Sequence, residues 1–179
     1  MSDYRIASRY AKALFERAVE TKSLDTVESD VRHLMNVCEE NRDFVLFLNS
    51  PLIKIATKKE ALQKLFASYN DLTRSALMIM ADKFRESLIP GMTQAFIALV
   101  NKHKNIMTAE VTAAIALNAA DAEAVKSYVA KQTGAKEVQL TQVIDADVIG
   151  GINIVFDGKI YDSTVSNQIL KIKKDLQIA

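Results

Sequence analysis

The sequence predicts an α+β protein, with a six-helix antiparallel bundle at residues 1–105 followed by a small α+β domain at residues 106–179. In the first part, apolar residues recur at helical spacings and the connections are short, as in helical bundles. After Lys104 the pattern changes to β-branched residues in partial alternation, which indicates strands. Only 5 Gly and 2 Pro occur in 179 residues, so long regular elements and few loops are expected.

The composition narrows the class of protein. Hydrophobic residues make up 49% and charged residues 25%, which favours a packed core over general disorder. The net charge is +1 and neither half is strongly basic, so no nucleic-acid ligand is expected. The sequence has no secretory signal pattern and no apolar run of about 18 residues, so we expect membrane association only through protein partners. A single cysteine, Cys38, excludes an internal disulfide and fits a reducing compartment.

Two long helices are predicted at the start, over residues 4–22 and about 24–40. Both carry apolar residues every three or four positions, and Ser23 stands before the second. The core face of the second helix is predicted to consist of Leu24, Val27, Val31, Leu34 and Val37 or Cys38.

The first helix is apolar over more than one stripe. Beside Tyr10 and Leu14 runs an edge of small residues, Ala7, Ala11 and Ala18, which permits close approach of another helix. Two neighbours within the bundle could bury this surface, or it could form a groove for the amphipathic helix of a partner. The pattern leaves both interpretations open.

Four shorter helices are predicted to complete the bundle. The third covers about Asp43–Leu48 and ends before Pro51, because the residue preceding a proline favours extended geometry. Thr57 is predicted to cap the fourth, and residues 71–88 form the fifth. Pro90 ends the fifth helix and stands near the start of the sixth.

The second domain is predicted to begin with a strand, a helix and another strand. The first strand covers Ile106–Leu117, which is rich in β-branched residues. Asn118 is predicted to cap a helix over about residues 119–133, and Gly134 to end it. Residues 138–144 form the second strand.

A β-hairpin is predicted next. Ile152, Ile154 and Phe156 alternate with less apolar positions, the period of a half-buried strand. Asp157-Gly158 between two such runs is a strong hairpin signal, because a two-residue turn of this kind needs positive φ angles.

A final helix follows, capped by Ser163 or Thr164. Its apolar positions are predicted to face inward, and they are Val165, Ile169, Ile172 and Leu176. Three cations near its end either complement the helix dipole or meet an acidic partner; they are Lys171, Lys173 and Lys174.

The chain shows no convincing catalytic pattern. Asp145 and Asp147 could bind a metal, but no further carboxylate follows at ligand spacing, so a solvated loop is the favoured interpretation. His33 and His103 also lack ligand-spaced partners. No phosphate-binding loop of the G-x-x-x-x-G-K-[ST] type is present. We therefore expect no cofactor, no metal and no enzymatic activity.

Two segments carry a resemblance to a known family. Arg9–Phe15, which reads RYAKALF, is similar to the opening-helix motif of the δ subunit of bacterial F-type ATP synthase, a relative of the mitochondrial oligomycin-sensitivity-conferring protein. Ile149–Ile152 with its glycine pair, followed by Asp157–Val165, is similar to the C-terminal signature of that family. The resemblance covers essentially the whole chain.

The resemblance implies a non-catalytic stator subunit that resists torque during proton- or sodium-driven ATP synthesis. The helical domain is expected to bind the N-terminal helical segments of the α subunits of the catalytic head. The implied contact residues lie on the first and fifth helices: Tyr10, Ala11, Leu14, Ala76, Ile79 and Met80. The second domain is expected to meet the b-subunit stalk through Lys171, Lys173 and Lys174.

The same resemblance implies one monomeric copy per complex and a peripheral location at the cytoplasmic face of the bacterial cell membrane. The alternatives are a stand-alone helical adaptor that is unrelated to energy conversion and an enzyme with dispersed catalytic residues.

Overall fold

The computed structural model describes residues 2–175, which form eight α-helices, two short 3-10 helices and a four-stranded sheet. This confirms the α+β class. The chain divides into two compact units between Val100 and Asn101, and each unit has its own hydrophobic core. The roles predicted for residues 1–105 and 106–179 remain predictions at this point.

Six helices begin in the first unit, and the last of them continues past the division. Their bounds are α1 (Ser2–Glu20), α2 (Leu24–Glu40), α3 (Arg42–Asn49), α4 (Ile55–Leu65), α5 (Asp71–Asp82) and α6 (Ile89–Lys104). Their core contains fully buried large side chains, among them Leu34, Leu77 and Phe96. The antiparallel course of all six helices stays a prediction. No helix within residues 2–175 has both the length and the apolar character needed to cross a bilayer.

The small-residue edge of α1 is packed inside the first unit. Ala7, Ala11 and Ala18 are all buried. A Cβ atom added to Gly91 of α6 would lie 3.4 Å from the Cβ of Ala7, so these two helices approach closely. For this edge, neighbours within the unit account for the apolar surface.

The predicted cap of α4 is wrong. The helix begins at Ile55, and the N-cap position is Lys54, whose side chain makes no capping hydrogen bond. Thr57 therefore lies inside the first turn. The side chain of Lys58 in this turn is buried and holds the helix start in place, so tertiary contacts outweigh the local preference for a threonine cap.

The helix α5 is shorter than the predicted fifth helix, because a backbone turn ends it at Asp82. The N–H of Arg85 donates to the carbonyl of Met80 at 2.9 Å, and the N–H of Phe84 donates to the carbonyl of Ala81 at 3.0 Å. These two bonds form a Schellman motif. Phe84 occupies its left-handed position with φ 58°, where glycine is usual, and this explains why the sequence pattern missed the turn.

The second unit contains a mixed sheet with α7 packed against it. Its elements are β1 (Ile106–Ala113), α7 (Ala119–Thr133), β2 (Glu137–Ile144), β3 (Ile152–Phe156), β4 (Lys159–Asp162) and α8 (Val165–Asp175). The strand order is β2-β1-β3-β4, with β1 and β2 parallel and the other pairs antiparallel. The first strand ends at Ala113, four residues before its predicted end at Leu117.

Four local predictions in this unit are confirmed. The side chain of Asn118 caps α7 by accepting the N–H of Asp121 at 2.8 Å, and Gly134 ends α7 with φ 69°. Asp157 and Gly158 take φ values of 49° and 70°, which a two-residue hairpin turn requires. Thr164, one of the two predicted caps of α8, accepts the N–H of Asn167 at 3.2 Å.

The orientation predicted for α8 is wrong. Val165, Ile169 and Ile172 are 37%, 40% and 57% exposed, so their stripe faces solvent. Leu176 lies outside the described residues. The reason is that α7 already covers the core face of the sheet, where its Val125 and Val129 are buried. Residues 165–174 of α8 consequently contribute no buried side chain to the apolar core cluster of this unit.

A fragment of residues 1–105 is expected to fold by itself, because the first unit has its own core and the fragment includes all of α6. Far-ultraviolet circular dichroism should show a helical spectrum, and urea should unfold the fragment cooperatively. A random-coil spectrum for the fragment, beside a helical spectrum for the full chain, would show that the division is wrong.

Candidate functional site

A mostly apolar groove of about 350 Å³ lies on the first unit between α1 and α5. Its lining residues are Tyr10, Ala13, Leu14 and Arg17 from α1, and Leu72, Ser75, Ala76 and Ile79 from α5. The small side chains of Ala13 on α1 and of Ser75 and Ala76 on α5 leave this space open between the two helices.

The structure places four of the six predicted α-contact residues in this groove, namely Tyr10, Leu14, Ala76 and Ile79. The other two, Ala11 and Met80, lie in the core with 0% exposure. These two side chains therefore support the groove from beneath, and the assignment of all six residues as α-subunit contacts stays a prediction.

Sequence reasoning missed Ala13, Arg17, Leu72 and Ser75, although a regular signal was present. Each helix supplies its lining at positions i, i+3, i+4 and i+7, starting from Tyr10 on α1 and from Leu72 on α5. This spacing places four residues on one helical face. Applying the same spacing to both helices would have identified the complete lining.

One end of the groove carries a positioned arginine. The Nη1–H of Arg85 donates to the hydroxyl of Tyr10 at 3.1 Å, and the guanidinium lies 5.9 Å from the centre of the Tyr10 ring. Such cation–π geometry holds the charge over the ring face. The other arginine of the site, Arg17, donates to Glu20 at 2.8 Å.

A buried ion pair lies where α3, α4 and the turn after α5 meet. Lys58 Nζ lies 2.6 Å from Glu86 Oε1 and also donates to the carbonyl of Leu48 at 2.6 Å. The two charged side chains are only 3% and 9% exposed. The second oxygen of Glu86, Oε2, has no hydrogen-bond partner within the described residues. This pair ties three segments of the first unit together.

Two further titratable groups of the first unit, Cys38 and Tyr69, are buried in its core. Burial, with a smaller contribution from the charge of Glu39, raises the pKa of the Cys38 thiol to about 11, so it stays protonated at neutral pH. Burial, and then the charges of Asp30 and Cys38, raise the pKa of Tyr69. The Tyr69 hydroxyl also forms a hydrogen bond with Nδ1 of His33, at 2.5 Å.

Metal binding has no geometric support in the described part of the chain. Residues 2–175 contain no group of three or more His, Cys, Asp or Glu side chains that could hold a metal ion. The carboxylate of Asp145 accepts the backbone N–H of Asp147 at 3.0 Å, so this pair caps a short 3-10 turn.

A second exposed surface lies on α8. Lys171, Lys173 and Lys174 are exposed on the same helix as the exposed apolar stripe of Val165, Ile169 and Ile172. These two groups together are called the α8 surface below.

The start of α8 is held by Asp162. This carboxylate accepts the hydroxyl of Thr164 at 2.7 Å and its N–H at 2.9 Å. The Thr164 hydroxyl, its N–H and, to a smaller extent, Lys171 lower the pKa of Asp162. At neutral pH the carboxylate is therefore ionised and keeps the helix start in place.

Comparison with known proteins decides the family. The model of the family described as ATP synthase delta (OSCP) subunit matches residues 6–176. The chain belongs to this family. Subunit delta of Anoxybacillus flavithermus is 33% identical over 176 residues, covering 98% of this chain and 99% of the relative. Subunit delta of Exiguobacterium sibiricum is 33% identical over 171 residues, covering 96% of each.

A solved structure shares the fold. One chain of the cryo-EM structure of the Toxoplasma gondii mitochondrial ATP synthase hexamer superposes with a TM-score of 0.79 at 20% identity, covering 97% of this chain and 98% of that chain. The protein is thus a non-catalytic peripheral stalk subunit of an F-type ATP synthase, within a membrane-associated complex. The stand-alone adaptor considered from the sequence is set aside.

Proposed function

We propose that the groove between α1 and α5 binds the N-terminal helical segment of an α subunit of the catalytic head, and that the second unit docks on the b-subunit stalk. One monomeric copy then links head and stalk at the cytoplasmic face of the bacterial cell membrane. Residues 1–105 serve the head and residues 106–179 serve the stalk.

The observation that carries the first contact is the pair of facing stripes. From i to i+7 a helix rises about 10 Å, so each wall of the groove is about two turns long. An apolar channel of this length between two helices fits the apolar face of a third helix, which is the helix-in-groove mode of peptide recognition. Of the six α-contact residues predicted from the sequence, four line the groove and are the proposed contacts: Tyr10, Leu14, Ala76 and Ile79.

The second contact is supported by the α8 surface. The exposed apolar stripe of α8 does not belong to the hydrophobic core of its own unit. Solvent-exposed apolar stripes of this kind mark interaction sites. Lys171, Lys173 and Lys174 add positive charge at its border, which favours an acidic amphipathic partner helix.

Two docking sites on one chain suit a stator. Rotation exerts torque on the head, and a static linkage must resist it without taking part in the chemistry. When one contact is made, the second forms at high effective concentration, so moderate individual affinities yield a durable link.

The test is titration of the full-length protein with a synthetic N-terminal peptide of the α subunit from the same organism. Ala76→Trp places a large ring in the groove and is expected to weaken binding by more than about 2 kcal/mol, or roughly 30-fold in Kd. Isothermal titration calorimetry measures this change.

Ala56→Trp is the matched control, because Ala56 is exposed on α4 and does not line the groove. Both variants should keep the wild-type circular dichroism spectrum. Equal peptide affinity for the wild type and Ala76→Trp would refute the groove assignment. An Ala11→Trp variant is not a suitable test, because Ala11 lies in the core.

A further inference from the structure

We propose that Arg85 selects the charge and direction of the helix that docks between α1 and α5, by binding an acidic side chain at the end of the groove next to Tyr10. This inference rests on the proposed function of the groove. It adds a requirement that the apolar lining does not impose: the partner helix must carry an aspartate or glutamate at one particular end.

The backbone of Arg85 is fixed by the Schellman motif that ends α5. Its N–H bonds the carbonyl of Met80, and the preceding residue, Phe84, holds the left-handed conformation at φ 58°. A bulky residue in this conformation is sterically unfavourable, so the surrounding hydrogen bonds must keep the turn in place. The hydrogen-bonded turn therefore fixes the position of the Arg85 backbone.

The side chain of Arg85 is fixed as well. Its Nη1 donates to the Tyr10 hydroxyl at 3.1 Å, and its guanidinium lies against the Tyr10 ring. Tyr10 itself lines the groove, so the charge stands at the groove border. A guanidinium has five N–H donors, and this single bond leaves donors for a carboxylate.

The charge of Arg85 is not neutralised by its sequence neighbours. Asp82 pairs with Lys59 at 2.6 Å, and Glu86 pairs with Lys58 at 2.6 Å. In the described part of the chain, Arg85 forms no ion pair of its own. Both nearby carboxylates are thus committed elsewhere, and the arginine keeps its full charge for a partner.

The two ends of the groove consequently differ. Arg17 is paired with Glu20 at 2.8 Å, whereas Arg85 has only the neutral Tyr10 hydroxyl. A partner helix that carries an acidic residue at one end gains an ion pair in one direction and not in the other. Charge complementarity at the rim of an interface sets register and orientation in this way.

The test is a double-mutant cycle on the full-length protein. The probes are the N-terminal peptide of the α subunit from the same organism and a second version in which every Asp and Glu is replaced by the corresponding amide. Arg85→Gln is expected to raise the Kd of the acidic peptide about three- to tenfold at low salt and to leave that of the amide peptide unchanged. High salt should reduce the difference, because an ion pair at the groove border is screened.

Lys83→Gln is the matched control, since Lys83 is an exposed cation two residues before Arg85, and the bond to the Tyr10 hydroxyl comes from Arg85. It should leave both peptides within twofold of wild type. Phe84→Gly keeps the turn, because glycine favours the left-handed conformation, and should retain the preference for the acidic peptide.

In one outcome, Ala76→Trp abolishes peptide binding while Arg85→Gln lowers the affinity for both peptides equally or for neither. That result would support the groove assignment and overturn the role of Arg85. If Ala76→Trp has no effect, the groove assignment itself fails. The same outcome for Lys83→Gln as for Arg85→Gln would show a general charge effect and would also overturn this proposal.

Discussion

Lys58→Met is expected to lower the free energy of unfolding by about 3–5 kcal/mol, because it leaves the carboxylate of Glu86 buried without its counter-charge. The pair is almost wholly excluded from water, and Lys58 also bonds the carbonyl of Leu48. Proteins of this size are typically stable by about 5–15 kcal/mol, so the loss is large. Urea unfolding followed by circular dichroism measures it.

The control for this prediction is Lys64→Met on the same helix. Lys64 pairs with Glu60 at 2.7 Å, but both side chains are exposed, so the loss is expected to stay within about 0.5 kcal/mol. Replacing both buried partners, Lys58→Met with Glu86→Leu, should recover much of the stability because no unpaired charge remains. Equal losses for Lys58→Met and Lys64→Met would contradict the burial argument.

The second large effect is expected from Ile169→Asp combined with Ile172→Asp on the α8 surface. Two carboxylates in an apolar contact should abolish binding to the b-subunit stalk, because unpaired charges are costly to bury. Assembled complexes that carry this variant should hydrolyse ATP at the head yet fail in ion-driven synthesis, since the stator no longer holds the head. Co-purification and ATP synthesis in membrane vesicles are the measurements.

Ile115→Asp is the control here, because Ile115 is an exposed apolar residue of the second unit outside α8. It should preserve synthesis and stalk binding. The α8 variant should also keep its affinity for the α-subunit peptide, since the groove lies on the other unit. A double variant that still co-purifies with the b subunit would show that the α8 surface is not the stalk contact.

Features governed by local chemistry could be predicted from the sequence. Asn118, Gly134 and Asp157-Gly158 each act through their own backbone preferences and nearby hydrogen bonds, and all take the expected conformation. The turn at Phe84 was missed because a non-glycine residue holds the left-handed position. The start of α4 was missed because the buried Lys58 contacts outweigh a better local cap.

The direction in which an apolar stripe faces depends on neighbours that a sequence pattern does not contain. The stripe of α8 has regular helical spacing, yet α7 occupies the core face of the sheet and α8 remains exposed. For the groove, the same limitation separated Tyr10, which lines it, from Ala11, which is fully buried one residue away. The family resemblance pointed to the first and fifth helices, and packing determines which of their side chains line the groove.

The strand order of the second unit has a consequence for synthesis on the ribosome. Strand β1 is made first, but it lies between β2 and β3, and β2 reaches it only after α7 has crossed over. The sheet therefore cannot assemble until nearly all of this unit has emerged, whereas α1 and α5 of the first unit both precede it in the chain. The α1/α5 groove can thus form while the second unit is still unfolded, and a partner helix is expected to be able to dock there before synthesis of the chain ends.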